Sequence, residues 1–288
     1  MPASPIDPLP RPLGVAIHDA GAANMVIAWC AAAERPPKRV WAQGPARALW
    51  QAQFGDAAFV EGPYALLDEA GCLLSGTGWA SDLEHHARFG AAQRGVRSIA
   101  VIDHWVNYAM RFERDGNTQL PDAIWVGDEY AAAIARDAFA GVPVELHANL
   151  YLAEQAAGAG PLPADGDILF VAEPARSDWG ADRAGEFQAL DYFTAHRGEA
   201  GIALDAQLRL RPHPSDPPGK YDDWLAGHPG TALDTSPDMA AALGAARWVV
   251  GMNSVALVVA LEAGRTAISA LPANAPPCTL PHVGIRRL

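Results

Sequence analysis

From residue 13 onward the chain alternates short apolar runs, rich in Val and Ile, with Ala-rich stretches whose apolar residues recur at helical spacing. Runs at 13–18, 39–42, 72–75, 98–102, 123–126 and 142–146 read as strands, with helices at 24–33, 45–54, 81–95 and 129–139. Ile99-Ala100-Val101-Ile102 shows no polar alternation, as expected of a parallel strand buried on both faces. The rhythm restarts with strands at 168–172, 207–211, 231–233, 248–251 and 266–269 and helices at 182–196, 221–226, 237–246 and 254–264. Between the halves, 153–167 reads AEQAAGAGPLPADGD, a Gly, Pro and Ala stretch with no strand pattern and room for one short helix. The pattern predicts an α/β protein with a disordered or extended segment at 1–12, a Rossmann-like domain at 13–152, a linker at 153–167 and a second such domain at 168–288. One doubly wound sheet would need more strands than such sheets usually carry.

Open α/β sheets bind ligands beyond the carboxyl ends of their strands, so the polar residues just past each strand are the candidates. In the first half these are His18, Asp19 and the turn through Gly21 to Asn24, then Gly76-Thr77-Gly78, Asp103-His104-Trp105, 127–129 and 147–149. In the second half they are 173–177, 212–216 and 252–254. All would line one cleft if the halves face each other through their strand ends.

Composition removes several classes. Half of the 288 residues are hydrophobic, yet no apolar run approaches the roughly 18 residues that a membrane span needs. The net charge of −12 is shared evenly, with 17 acidic and 11 basic residues in 1–150 and 16 and 10 in 151–288. No basic half tracks a phosphate polymer, so nucleic acid is not an expected partner. Lysine occurs only at Lys38 and Lys220. Cys30, Cys72 and Cys278 are odd in number, far apart and without metal-ligand spacing, which suits a reducing compartment. The Pro-rich start lacks the basic and apolar regions of a signal peptide, so the expected location is cytoplasmic, with peripheral membrane association left open.

Two segments of the second half carry chemistry. Leu208-Arg209-Leu210-Arg211-Pro212-His213-Pro214 is a strand that ends in a His held between two prolines. That imidazole can donate to a phosphate oxygen or carry a proton, or it is a turn residue capping carbonyls. Trp248 to Leu257 runs from a buried strand through Gly251 to Asn253 and Ser254 at the start of an apolar helix. Such a start offers free N–H groups, a positive dipole end and a hydroxyl to a phosphate, unless Asn or Ser is simply the helix cap.

Together and in this order, the His-Pro and the Ser-bearing helix start resemble the C-terminal donor domain of GT-B glycosyltransferases, in particular bacterial sialyltransferases and Kdo-type capsule transferases. The resemblance covers roughly residues 168–269 and implies that His213 and Ser254 bind a donor nucleotide's phosphate. Asn253 and Arg176 would add to that site, Arg176 pairing with phosphate or a sugar carboxylate. It further implies metal-independent transfer of a sugar to a hydroxyl acceptor such as a glycan. The donor would be a CMP-linked nonulosonic or Kdo-like acid ahead of a UDP-hexose. The nucleotide sugar is then a substrate, and no cofactor is expected.

In such an enzyme the N-terminal domain supplies the base that removes the acceptor proton. Asp19 is the first candidate and His18 the second, the alternative for Asp19 being a helix cap. Gly21, Asn24, Thr77, Glu84, Asp103, His104 and Trp105 are candidates for sugar and acceptor contacts, with Trp105 stacking on a ring. Against these stand a Glu84 that merely answers a helix dipole and a Trp105 in the core. A nucleotide-sugar 2-epimerase or hydrolase on the same fold, or a non-catalytic sugar-nucleotide binding protein, are the other readings. Asp165-Gly166-Asp167 has the form of a metal-binding motif but lies in the linker, and His85-His86 points two rings apart. Gly-x-Gly-x-x-Gly after a strand, Gly-x-Ser-x-Gly and the P-loop are absent. GT-B chains often finish with a helix that crosses back to the first domain. Here only the Pro-rich 271–288 comes after the last strand, so either the crossing is absent or 283–288 replaces it.

Overall fold

The unbroken apolar runs of the first half become parallel strands with helices on both faces. In the computed structural model, which describes residues 4–175 and 177–288, the chain divides into Met1–Tyr151 and Leu152–Leu288. The first unit holds β1 (Leu13–Ile17), α1 (Ala20–Ala31), β2 (Arg39–Ala42), α2 (Gly44–Phe54), α3 (Gly62–Leu66), β3 (Cys72–Ser75), α4 (Leu83–Arg94) and β4 (Arg97–Ile102). A small hairpin, β5 (Glu113–Arg114) and β6 (Asn117–Thr118), precedes β7 (Ala123–Val126), α5 (Glu129–Ala138) and β8 (Val144–Leu146). Strand period sorts the core. Val15 and Ile17 of β1, with Leu74 of β3 and Ile99 and Val101 of β4, pack with Val26 and Trp29 of α1. Ala16 and Leu73, one residue out of phase, pack on the other face with Leu66 of α3 and Leu83, Ala87 and Ala91 of α4.

The second unit opens with α6 (Leu150–Gly158), which starts at the boundary. Then come β9 (Asp167–Val171), α7 (Gly185–His196), β10 (Leu208–Arg211), α8 (Asp222–Ala226) and β11 (Thr231–Leu233). The unit is completed by α9 (Met239–Ala245), β12 (Ala246–Gly251), α10 (Val255–Glu262), β13 (Thr266–Ser269) and β14 (Arg286–Arg287). Ile168, Phe170, Leu208, Leu210, Val250 and Ile268 from four strands share one core with Leu190 and Phe193 of α7.

One expectation about the organisation needs correction, and two others gain detail. The segment 1–12 is not an extended lead-in over its described residues. Residues 4–12 form turns that bury Ile6 and Leu9 in the first core, and Ser4 Oγ donates to the Trp29 carbonyl at 2.5 Å. The apolar side chains outnumbered by prolines in the sequence are what hold it. The stretch 153–167 takes up the one short helix it had room for: α6 runs into it, and Gly160, at φ +67°, follows the helix end. The chain's end adds a sixth strand, β14, paired in parallel with β13 at Ile268 to Arg286 and Ser269 to Arg287. Residues 286–287 therefore belong to the second sheet.

Candidate functional site

The first sheet has the order β2-β1-β3-β4-β7-β8, so the direction of winding reverses between β1 and β3. Open α/β sheets bind ligands at such a reversal, beyond the strand ends. There β1 runs into His18 and Asp19, β3 into Gly76, Thr77 and Gly78, and the neighbouring β4 into Asp103.

Asp19 stands at the N-cap position of α1, with extended backbone, yet its side chain makes no cap hydrogen bond. Asp128 and Asp238, at the same position of α5 and α9, do cap, accepting N–H groups of Ala131 at 2.7 Å and Ala241 at 2.8 Å. The Asp19 carboxylate turns away from its helix instead. Its Oδ1 lies 2.7 Å from His18 Nδ1, which places the proton on Nδ1 when the carboxylate is ionised. Oδ2 makes no hydrogen bond among the described residues and faces Gly78, where a Cβ would stand 2.3 Å away.

Two further carboxylates rest on glycine in the same way. A Cβ on Gly76 would lie 2.5 Å from Glu84 Oε1, and one on Gly21 1.8 Å from Asp103 Oδ2. Only glycine leaves room for the three acids at these positions.

Glu84, the acidic residue in the first turn of α4, is not an exposed sugar contact. It is wholly buried, its Oε1 accepting the His18 backbone N–H at 3.0 Å and its Oε2 lacking a partner among the described residues. Burial pushes its pKa up to about 8, with Arg88 opposing and the charges of Asp19 and Asp103 adding to the rise. Glu84 therefore holds its proton at neutral pH under the His18-Asp19 turn. Arg88, one helical turn later and wholly buried, donates to Ser75 Oγ at 3.1 Å and to the Gly76 carbonyl at 2.9 Å. Arg111 Nη1 reaches Asp103 Oδ1 at 3.3 Å and the Thr77 carbonyl at 3.2 Å. Both arginines escaped the reading of the sequence, although the Glu84-Arg88 spacing of four on one helix face was a usable signal.

Other candidates are reassigned. The Thr77 hydroxyl is buried and donates to the Val101 carbonyl at 2.9 Å, so it holds β3 to β4 rather than a sugar. Trp105 is buried, its Nε1 donating to Asp128 Oδ2 at 2.9 Å, and it offers no face for stacking. His104 Nδ1 accepts the Trp105 N–H at 2.9 Å, and burial lowers its pKa against the pull of Asp103. Asn24 lies in the second turn of α1, which begins at Ala20 rather than at Asn24.

The second sheet has the order β11-β10-β9-β12-β13-β14, which along the chain is the 3-2-1-4-5-6 order of dinucleotide-binding folds, reversing between β9 and β12. His213 is exposed beyond β10. Its Nδ1 accepts the Ser215 N–H at 3.1 Å and lies 2.7 Å from Ser215 Oγ, so the neutral ring carries its proton on Nε2. Ser254 does cap α10, Oγ accepting the Ala256 N–H at 3.2 Å, and its hydroxyl proton stays available to a ligand. Asn253 is committed elsewhere: its N–H goes to Glu173 Oε1 at 2.5 Å and its Oδ1 accepts the Thr279 N–H at 2.7 Å. It ties the ends of β9 and β12 to the tail instead of offering a backbone donor to phosphate. Burial raises the Glu173 pKa, opposed by that Asn253 N–H. Arg176 lies outside the described residues. Asp167, of the Asp-Gly-Asp run, opens β9 and pairs with Arg209 Nη2 at 2.9 Å. Among the described residues no group of three or more His, Cys, Asp or Glu is arranged to hold a metal ion, and no helix is long and apolar enough to cross a membrane.

No family model and no curated protein matches this chain. Solved structures do. The S. aureus MnaA–UDP co-structure aligns with a TM-score of 0.58 at 12% identity, covering 89% of this chain and 78% of that one. The UDP-GlcNAc 2-epimerase from Neisseria meningitidis bound to UDP-GlcNAc gives 0.56 at 11%, covering 89% and 81%. The glycosyltransferase of kitacinnamycin gives 0.55 at 15%, covering 97% and 87%. Identities this low establish architecture and not activity. The chain is an α/β protein of two Rossmann-like units, the GT-B fold.

Proposed function

We propose that this chain is a sugar-nucleotide enzyme that transfers a glycosyl group to a hydroxyl acceptor without a metal, with Asp19 as the base. The observation that carries the reading is the Asp19 carboxylate, which sits at a helix N-cap, declines the cap bond, and keeps Oδ2 open at the winding reversal of the sheet. His18 holds the other oxygen and orients it. In the second unit His213 Nε2–H and the Ser254 hydroxyl at the α10 terminus supply the donors for a nucleotide's phosphate, whose charge grows as it leaves. The first donor to test is UDP-linked, because two of the similar structures carry UDP or UDP-GlcNAc, and nothing favours the CMP-linked acid that the sequence resemblance implied.

A specific observation also favours epimerisation. Asp19 and Asp103 gather at neighbouring strand ends above the sealed Glu84, so two partly exposed carboxylates stand close together, as removal and return of a proton at one carbon require. Incubation with UDP- and CMP-sugars separates the readings. Nucleotide release that requires a hydroxyl acceptor supports transfer. Deuterium uptake at the sugar C2 from heavy water, without acceptor, supports epimerisation. Release to water alone supports hydrolysis, and binding without turnover would sink all three. His213→Ala is expected to weaken UDP binding about tenfold or more by calorimetry, the worth of one charge-assisted hydrogen bond.

A further inference from the structure

The placement of His213 depends on a buried charge cluster in the same unit, and its meaning rests on the reading of His213 as a phosphate contact. Lys220, the lone lysine of the second half, is tucked between two buried acids. Its Nζ lies 2.6 Å from Asp216 Oδ1 and 2.7 Å from Glu186 Oε1. The two carboxylates are 2% and 4% exposed, so nearly all their compensation comes from this ammonium and a few N–H and O–H groups.

Each acid spends its second oxygen on a loop beyond a strand end. Asp216 Oδ2 accepts the His213 backbone N–H at 2.9 Å and the Tyr221 hydroxyl at 3.0 Å. Glu186 Oε2 accepts the Ala175 N–H at 3.1 Å. The loop after β10 and the loop after β9 are thereby joined through one cation. The Asp216 bond fixes the His213 backbone within the same turn in which Ser215 N–H fixes the ring with Nδ1 as acceptor.

We infer that Lys220 is a positioning residue for anion binding: by clamping Asp216 to Glu186 it holds the His213 turn in the one conformation that presents Nε2–H outward. An ordinary surface ion pair would not do this, because it would be screened and mobile. Here the acids are buried and each oxygen has an assigned partner. The electrostatics agree with the geometry. Burial, which would lower the Lys220 pKa, is outweighed by Asp216 and Glu186, and the Asp216 pKa is lowered because Lys220, His213 N–H and Tyr221 O–H outweigh its own burial.

The test uses the full chain, with UDP as probe. Lys220→Met is expected to raise the UDP Kd at least tenfold, and Lys220→Arg to return it to within about threefold of the parent, since Arg can still bridge two carboxylates. Because Lys220 acts through His213, the pair Lys220→Met/His213→Ala should bind no more weakly than His213→Ala alone. Nitrogen NMR of the His213 ring should show the Nε2–H tautomer in the parent and a tautomer mixture in Lys220→Met. Where Lys220→Met does not fold, Asp216→Asn, which keeps shape but loses the charged link, is read in the same way. Parent-like UDP affinity together with an unchanged His213 ring signal would overturn the proposal, as would losses that simply add. If the parent itself binds no UDP, the phosphate reading fails, and the ring signal alone then decides whether Lys220 positions His213.

Discussion

Asp19 and Glu84 show how two carboxylates in one site come to differ. Asp19 is a third exposed and hydrogen-bonded to His18, whereas Glu84 beneath it has no solvent and, among the described residues, one oxygen without a partner. Asp19→Asn is expected to lower turnover about a hundredfold or more with the fold unchanged, the usual worth of a general base, as measured by acceptor-dependent UDP release. Glu84 has a stability signature. Below its ordinary carboxyl range near pH 4.5 both folded and unfolded chains hold the proton and pH has no effect through this group. Between there and about 8 the unfolded chain has released the proton and the folded one has not, so stability falls as pH rises, by roughly 1.4 kcal/mol per unit. Glu84→Gln should flatten that fall, and melting temperatures of the two proteins should diverge progressively from pH 5 to pH 8. Parallel curves would refute a neutral Glu84.

Helix ends divide in a comparable way. Asp128, Asp238 and Ser254 do what their N-cap positions predict, and Asp19 and Asp82 do not. Asp82 has αR backbone and pairs with Arg114 at 2.9 Å, whereas Asp19 keeps the extended backbone of a cap and turns to His18 at the winding reversal. At the other kind of terminus, α6 is finished by buried Arg265, whose guanidinium donates to the carbonyls of Ala159 at 3.0 Å, Gly160 at 2.8 Å and Pro161 at 3.2 Å. It also donates to the Leu243 carbonyl of α9 at 3.2 Å, which pins the Gly- and Pro-rich stretch to the second unit. Arg265→Ala leaves the buried Ala159 carbonyl without this donor and removes the guanidinium's other bonds, and is expected to cost about 2 kcal/mol, read by urea denaturation. A loss under about 0.5 kcal/mol would mean that this stretch is free after all.

An acidic molecule that is to bind an anionic nucleotide must rely on donors placed at one spot. The charge of −12 is spread over both halves, and the donors proposed for phosphate are neutral: an imidazole N–H, a hydroxyl and a helix terminus. Contacts of that kind are screened weakly by salt, unlike those of a basic surface. UDP affinity is therefore expected to change by no more than about threefold between roughly 0.05 and 0.3 M salt. A steep log-log dependence in calorimetry would point instead to a cluster of arginines at the phosphate.

The pattern of apolar runs determined the strands, the two α/β halves and the positions at which to look, because a buried parallel strand has a composition that nothing else in a soluble chain needs. The candidates His18, Asp19, Gly21, Asp103, His213 and Ser254 could be named from their places just beyond the strand ends. The pattern left undecided which of the side chains at such places are already engaged. Thr77, Trp105 and Asn253 also lie past strand ends, and all three are used up by Val101, Asp128, Glu173 and Thr279, partners 20 or more residues away. Ile6 and Leu9, and the pair Arg286–Arg287, were likewise unreadable among prolines, since a core contact or a two-residue strand is settled by its distant neighbour. Sequence spacing fixes local geometry, whereas burial and hydrogen-bond commitment depend on the whole chain having closed around the group. Only the tertiary structure could separate the open carboxylate of Asp19 from the sealed one of Glu84.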